Sequence, residues 1–485
     1  MKALLRTTSI AALSLAAAGC ATAPPAALLP QDVPSAFENQ AAEGAPVWPQ
    51  ADWWKGFNSE EMSGFIGTAE TNNLDLGAAA ARVLQAEANT DIQGSALFPS
   101  VDLSGNAQQQ GSKATGHWAH QNMFSASLDA SYQLDFWGKA RDNLLNAEES
   151  LKSAKFAQEV VALTVVTDVA DGYLSVLALR QRVAIADANI AAANRILKIT
   201  EAKVTNGVSS RLDLAQQEAQ VDGQKAQVPA LEEQEREARY TLAVLLAHTP
   251  EGFDVTGENL DGIAAPAVAP GLPSELLRRR PDVAQAEAQL AAAHANVDAA
   301  RAAFFPQISL TASGGFASAA LSALFHSSSL GYSIGASLLQ TIFDGGRLIG
   351  ESRLARAQQE ELIADYRKAV LSAFQDAETA LGQVASLAEQ EKYKAAQVNA
   401  ATEAFRISEI QYREGVADLL AVLLAQQTLF TAEDQLVQIK LARIQANVGL
   451  YRALGGGWSE DPADVTQPIP VSAPLQPHTD TRAPM

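Results

Sequence analysis

Cysteine is nearly absent: the 485-residue chain has one, Cys20. No intrachain disulfide framework and no Cys-based zinc site is therefore available. Basic residues are also scarce. Lys and Arg number 35 against 55 Asp and Glu, for a net charge of −20. A nucleic-acid binder needs a basic patch to neutralise phosphates, so that class is excluded. Proline is rare in the interior: 12 of the 20 fall within residues 21–50 and 459–485. Long uninterrupted elements are thus allowed in the middle and nearly excluded at the ends. After residue 20 no run of 18 apolar residues occurs, so a membrane crossing by helices is not expected. What abounds is alanine, 94 residues of it. That composition favours long helices with close axis-to-axis packing.

Residues 1–19 read as a secretory signal: Lys2 and Arg6, then an apolar stretch, then small residues. Ala17-Ala18-Gly19-Cys20 resembles a bacterial lipobox, with Ala17 where Leu is usual. The resemblance implies that Cys20 is lipidated and becomes the mature N-terminus. Ala21 in place of Asp implies sorting to the outer membrane.

The chain repeats itself. Leu97-Phe98-Pro99-Ser100-Val101 returns 207 residues later as Phe304-Phe305-Pro306-Gln307-Ile308. The same offset relates Asp75 to Asp282 and Phe136-Trp137-Gly138 to Phe343-Asp344-Gly345. Two copies of one unit, 74–247 and 281–454, are expected.

Each copy opens with an Ala-rich helix that stops before a proline, Pro99 or Pro306. Two strands follow. Phe124, Ala126, Leu128, Ala130, Tyr132 and Leu134 alternate with Ser125, Ser127, Asp129, Ser131 and Gln133. Tyr332, Ile334, Ala336 and Leu338 repeat the pattern. Soluble strands usually run about 5–6 residues, and membrane strands about 9–11. An apolar face backed by a small polar one fits a barrel that is wet inside and lipid-facing outside. Two long helices, 138–205 and 345–413, contain no proline. At ~1.5 Å per residue each spans about 100 Å. Gly207 and Gly415 end them at the left-handed stop position. The chain then returns as one helix per copy, 211–247 and 418–454. Four strands cannot close around water, and open edges cannot sit in lipid. The chain is therefore expected to assemble as a ring.

Further motifs carry a resemblance. They are Leu272-Pro273-Ser274-Glu275-Leu276-Leu277-Arg278-Arg279-Arg280-Pro281-Asp282-Val283, Phe305-Pro306-Gln307-Ile308-Ser309-Leu310 and Gly207-Val208-Ser209-Ser210-Arg211-Leu212-Asp213-Leu214. Trp53-Trp54-Lys55-Gly56-Phe57 is a weaker one. With the repeat and the lipobox, they resemble the TolC-like outer-membrane efflux proteins, in the lipoprotein branch typified by OprM and NodT. The resemblance implies a mainly α fold with transmembrane β. Its form would be a homotrimeric α-barrel in the periplasm, continuous with a 12-stranded β-barrel in the outer membrane. It implies a signal peptide (1–19), a lipid-anchored linker (20–50), an equatorial segment (51–73), an inter-repeat equatorial linker (248–280) and a disordered Pro-rich tail (455–485). The implied partners are a periplasmic adaptor, an inner-membrane pump of the resistance-nodulation-division type, outer-membrane lipid and exported small molecules. No cofactor is implied, and no P-loop pattern occurs.

In this family the periplasmic tip carries a gate. Asp213 matches the first-repeat gate Asp. The second turn places Asp418, Leu420, Leu424 and Gln427 there, with Leu424 and Gln427 standing where the family has Asp and Arg. A charged lock is missing at those two positions. Closure by Leu420 and Leu424, with acidic rings at Asp213 and Asp418, is one expectation. Helix capping by the two aspartates is the other, and the two roles are compatible.

His117 and His120 have a metal-like spacing but no acidic or Cys neighbours, so they read as an external loop. His248 and His294 read as surface or packing residues. Trp53 and Trp54 are expected to pack a short helix on the waist. Phe136, Trp137 and Phe343 are expected to form an interfacial girdle. Arg278-Arg279-Arg280 reads as packing and ion pairing. A periplasmic adaptor lipoprotein is the alternative, disfavoured by strands placed between helices twice. An enzyme finds no Ser/His/Asp, metal or paired-acid constellation.

Overall fold

The structure is a computed structural model and describes residues 34, 36–38, 47–114, 117–264, 266, 268 and 271–458. The signal, Cys20 and most of the expected linker and tail lie outside those residues.

A 3-10 turn, Trp53–Phe57, precedes α1 (Glu60–Asn72) and α2 (Leu74–Ser95). Then come β1 (Ser100–Ala114), β2 (His117–Leu134) and α3 (Lys139–Thr205). The return leg is α4 (Arg211–Lys225) and α5 (Gln227–Leu245). After a helical turn, Pro273–Leu276, the second copy runs α6 (Pro281–Ala302), β3 (Gln307–Ser318), β4 (Leu330–Leu339), α7 (Arg347–Arg413) and α8 (Leu419–Ala453).

The four strands form one antiparallel sheet in the order β1-β2-β3-β4. The central pairing, Leu134↔Ile308 to Phe124↔Ser318, joins the two copies. The same order holds below the sheet. There α3 packs between α2 and α6, and α6 packs on α7. Pairing keeps the alternation in phase. Leu103 faces Leu128, Ser104 faces Ser127, and Tyr132 faces Leu310. One face is therefore apolar across all four strands and the other is hydroxyl-rich.

Asparagine and aspartate side chains start several of these helices. Asp135 accepts from Ala140 N (3.1 Å) and Arg141 N (3.0 Å), and Asp344 from Gly346 N (2.9 Å) and Leu348 N (3.0 Å). The two repeat copies thus use the same device where strand becomes long helix. Asn73 does likewise for α2, accepting from Asp75 N at 2.8 Å and Leu76 N at 3.1 Å.

A large core lies at the waist. Phe57, Met62, Ile66, Leu174, Leu177, Leu242 and Val448 are buried there. Trp53 stacks on Tyr451 with centroids 4.8 Å apart. By length and composition α3 could cross a membrane, but half of its most apolar window is buried in the fold. Val165, Val169 and Leu174 of this helix belong to the waist core.

Three expectations need correction. The first return leg is not one helix: it breaks at Ala226 between α4 and α5. Pro229 explains this, since its ring excludes the bond to the carbonyl of Lys225. The copy, α8, has no proline and runs unbroken for 35 residues. The expected tail begins too early, because 455–458 is folded: Trp458 meets Phe156 edge-on at 5.6 Å. The expected linker is anchored in part. Phe37 is buried, the Glu38 amide donates to Glu378 Oε1 at 2.7 Å, and Trp48 lies under Arg279 at 4.6 Å.

The triple arginine divides its work. Arg280 is buried and donates to Asp282, Asp376 and the Ala453 carbonyl. It thereby ties the start of α6 to α7 and to the end of α8.

Candidate functional site

The two helix turns are built alike. Gly207 (φ 71°) and Gly415 (φ 80°) take the left-handed conformation. Val208 N then bonds Lys203 O, and Val416 N bonds Gln411 O, each at 2.8 Å. These six-to-one closures satisfy carbonyls that the helix ends leave free.

Beyond the first turn, Asp213 sits in a reciprocal cap. Its Oδ2 accepts from Ser209 Oγ (2.6 Å) and Ser210 N (2.9 Å), while its own amide donates to Ser210 Oγ (3.1 Å). The Ser209 hydroxyl, then the Ser210 amide, hold this carboxyl below its ordinary range. Asp418 caps α8 by accepting from Ala421 N at 3.0 Å. Both aspartates therefore do the work of helix caps. Leu420 and Leu424, one turn apart on α8, are each 57% exposed. Leu212, Val208 and Val416 extend this exposed apolar tip. Gln427 lines a polar hollow of about 430 Å³ with Arg182, Asn189, Gln220, Gln224 and Asp434.

The two hairpins are tied to each other just above the tips. Thr200 Oγ1 and Tyr412 Oη are 3.0 Å apart. Lys203 donates to the Tyr412 carbonyl at 2.5 Å and lies 4.6 Å over its ring. Further up, Arg182 pairs with Asp434 at 2.6 Å. Sequence reasoning missed these ties. Partners more than 200 residues apart leave no local spacing signal. Beside them, Gln217 and Gln426 are fully buried; Gln217 donates to Ala193 O at 2.9 Å, and the Gln426 amide has no partner among the described residues.

At the other end, the polar sheet face carries two carboxylates directly opposite each other, Asp102↔Asp129. Ser104 and Ser127 hydroxyls donate to Asp129 Oδ2 at 2.7 and 2.9 Å. At the base of the strands Phe136, Trp137 and Phe343 are exposed, with Phe343 at 89%. Trp137 stacks on Phe305 (4.7 Å) and donates to Pro306 O at 2.8 Å.

Among the described residues no three His, Cys, Asp or Glu side chains are placed to hold a metal. The expected external loop at His117 and His120 is instead strand, because β1 and β2 stay paired to their ends: both residues stand on β2, opposite Ala114 and Gly111. The His117 side chain lies outside the description. His248 stacks near Phe253, and His294 lies 3.7 Å from Asp298.

A partly buried acid sits at the waist. Burial first, and then Asp168, push the Asp171 carboxyl up from 3.8 to about 7, against the pull of Arg452. Its Oδ1 is buried without a partner among the described residues. The folded chain thus holds a proton that the unfolded chain releases between those two values. The resulting stability is present at low pH and is lost as pH rises through about 7. Asp171→Asn is expected to raise the thermal midpoint at pH 8 and leave it unchanged at pH 4, as read by calorimetry.

Comparison with known proteins locates this architecture. A family model described as "Outer membrane efflux protein" matches residues 65–248 and 272–456. The pyoverdine export outer membrane protein OpmQ of Pseudomonas aeruginosa is 41% identical over 437 residues, 88% of this chain and 92% of its own. The outer-membrane channel OprN superposes with a TM-score of 0.85 at 28% identity, covering 90% of this chain and all of its own. The open state of the Neisseria gonorrhoeae MtrE channel gives 0.82 at 28% identity, covering 91% and 99%.

Proposed function

The chain belongs to the outer membrane efflux protein family, and from that premise we propose that three copies close into one passive export duct. It is the outer-membrane channel component of an efflux system. Twelve strands, four per chain, would form the barrel in lipid, and the helices would continue it into the periplasm. Cys20 anchors the assembly through lipid. A periplasmic adaptor and an inner-membrane pump of the resistance-nodulation-division type supply coupling and energy. The duct takes no cofactor and has no catalytic role. The pyoverdine-exporting relative makes a secreted small molecule of that kind the first cargo to test.

The observation that carries this reading is the pair of free sheet edges. β1 and β4 have no outer neighbours among the described residues, and lipid does not tolerate open edges. The repeat supplies the missing pairing. Within the chain Leu128 faces Gly314. In the second copy Ala336 takes the place of Leu128, because Ile308↔Leu338 repeats Val101↔Ala130. In the first copy Ala107 takes the place of Gly314 at the same 207-residue offset. Ala336 should therefore face Ala107 of the next chain, with apolar faces in phase. Joint Ala107→Cys and Ala336→Cys substitution should give an oxidant-dependent ladder that stops at three chains on a denaturing gel. A ladder ending elsewhere, or none, would remove the ring.

The gate follows from the same symmetry. Asp213, Asp418, Leu420 and Leu424 lie at the turns, where three copies would converge on the axis, and Gln427 lies further up α8. We assign closure chiefly to Leu420 and Leu424, because the two aspartates are already engaged as caps.

A further inference from the structure

The first hairpin is longer than the second. β2 pairs with β3 only as far as Phe124↔Ser318, whereas β1 and β2 stay paired to Ala114↔His117. Beyond Phe124 the composition changes. The apolar face from Leu134 to Phe124 covers about 33 Å of strand, and about 25 Å of membrane once tilted. Phe124 and its repeat counterpart Tyr332 thus close the lipid band from above. Past them the same outward face carries Gln109 and Asn122, then Gly111 and His120, then Lys113 and Trp118. Trp118 lies about 20 Å further along the strand than Phe124. That is too far to be part of an interfacial girdle.

Three features set this tip apart. The rings of Trp118 and His120 are nearly parallel, 12° apart with centroids separated by 6.4 Å. Both reach over Gly111. A Cβ there would meet His120 Nδ1 at 3.2 Å and Trp118 at 3.6 Å. The absent side chain lets the rings lie down, and Trp118 remains 64% exposed. Lys113, opposite Trp118, is the one Lys or Arg in residues 83–138 and 302–346, which hold all four strands. The strands' two acids, Asp102 and Asp129, lie on the opposite face. In an acidic chain, fixed positive charge on the outside of the sheet is thus confined to one point beside an aromatic platform.

We propose that Lys113, Trp118 and His120 grip the phosphorylated sugar headgroup of the glycolipid in the outer leaflet. The ammonium meets the phosphate, and the flat rings meet the C–H face of the sugar. Charge complementarity and height above the apolar band select this occupant over acyl chains or a protein partner. The proposal rests on the barrel reading, and conductance tests that reading separately.

The test uses the full chain in detergent and four probes. They are phosphorylated lipopolysaccharide, the same material dephosphorylated, phosphatidylglycerol vesicles and free glucosamine 1-phosphate. The wild type should bind the first about tenfold or more tighter than each of the others. Lys113→Glu and Trp118→Ala should each lose about tenfold of that affinity. Gln110→Ala, on the inward face, should lose none. Equal binding by wild type and both variants overturns the proposal. So does phosphatidylglycerol or free sugar phosphate binding as tightly as lipopolysaccharide. Both variants should still conduct in planar bilayers, which shows that they fold. A wild type that never conducts would sink the barrel reading instead.

Discussion

Joint Leu420→Ser and Leu424→Ser substitution should raise the resting conductance of the reconstituted channel by about tenfold, the factor that ~1.4 kcal/mol represents. The two leucines share one face of α8, a turn apart. Each is 57% exposed in the single chain, so neither is needed to hold the hairpin together. In a ring of three they would line the narrowest part of the tube, where an apolar constriction closes by excluding water. Serine keeps the helix and admits water. Because the side chains are already exposed, thermal stability should hardly move. Asp213→Ala is the informative contrast. It removes the partner of Ser209 Oγ and Ser210 N. Its expected cost is about 1 kcal/mol of helix-end stability, with a smaller rise in conductance. If Asp213→Ala opens the channel more than the leucine pair does, closure is electrostatic and the apolar lock is wrong.

The channel should prefer cations, and Asp102→Asn with Asp129→Asn should abolish most of that preference, read as the reversal potential in a KCl gradient. Like charges directly opposite on paired strands destabilise a sheet, yet this sheet places Asp102 against Asp129. Serine hydroxyls from Ser104 and Ser127 hold Asp129 in place. Two carboxylates per chain make six around a threefold pore. At about 0.1 M salt the screening length is ~10 Å, so the ring would act across much of the lumen. At about 1 M it falls to ~3 Å, and wild type and variant should converge. Selectivity that survives both substitutions at low salt would place its origin in the acidic helices.

Much of this was legible along the chain. Strict alternation over 124–134 set which face of β2 is apolar, and pairing kept β1, β3 and β4 in phase with it. Gly207 and Gly415 ended both long helices where their lack of a Cβ predicts. Trp53 packed at the waist, as its neighbours implied. The break at Ala226 was missed, because one continuous return helix was expected in spite of Pro229. The folding back of Phe37, Trp48 and Trp458 was not legible. Those segments are proline- or glycine-rich and lack periodicity, and their order comes from surfaces built elsewhere.

The sequence by itself determined the local elements and their repetition. Periodicity, proline and glycine act over a few residues and need no partner to be read. The capping roles of Asp213 and Asp418 are of that local kind; only the tertiary structure decided that Tyr412 ties α7 to α3 and that Asp102 faces Asp129. It also decided that Lys113 stands alone on the outside of the sheet. Each of these depends on which strands and helices lie side by side. That choice is made by burial summed over the whole chain, and no single stretch of it records the result.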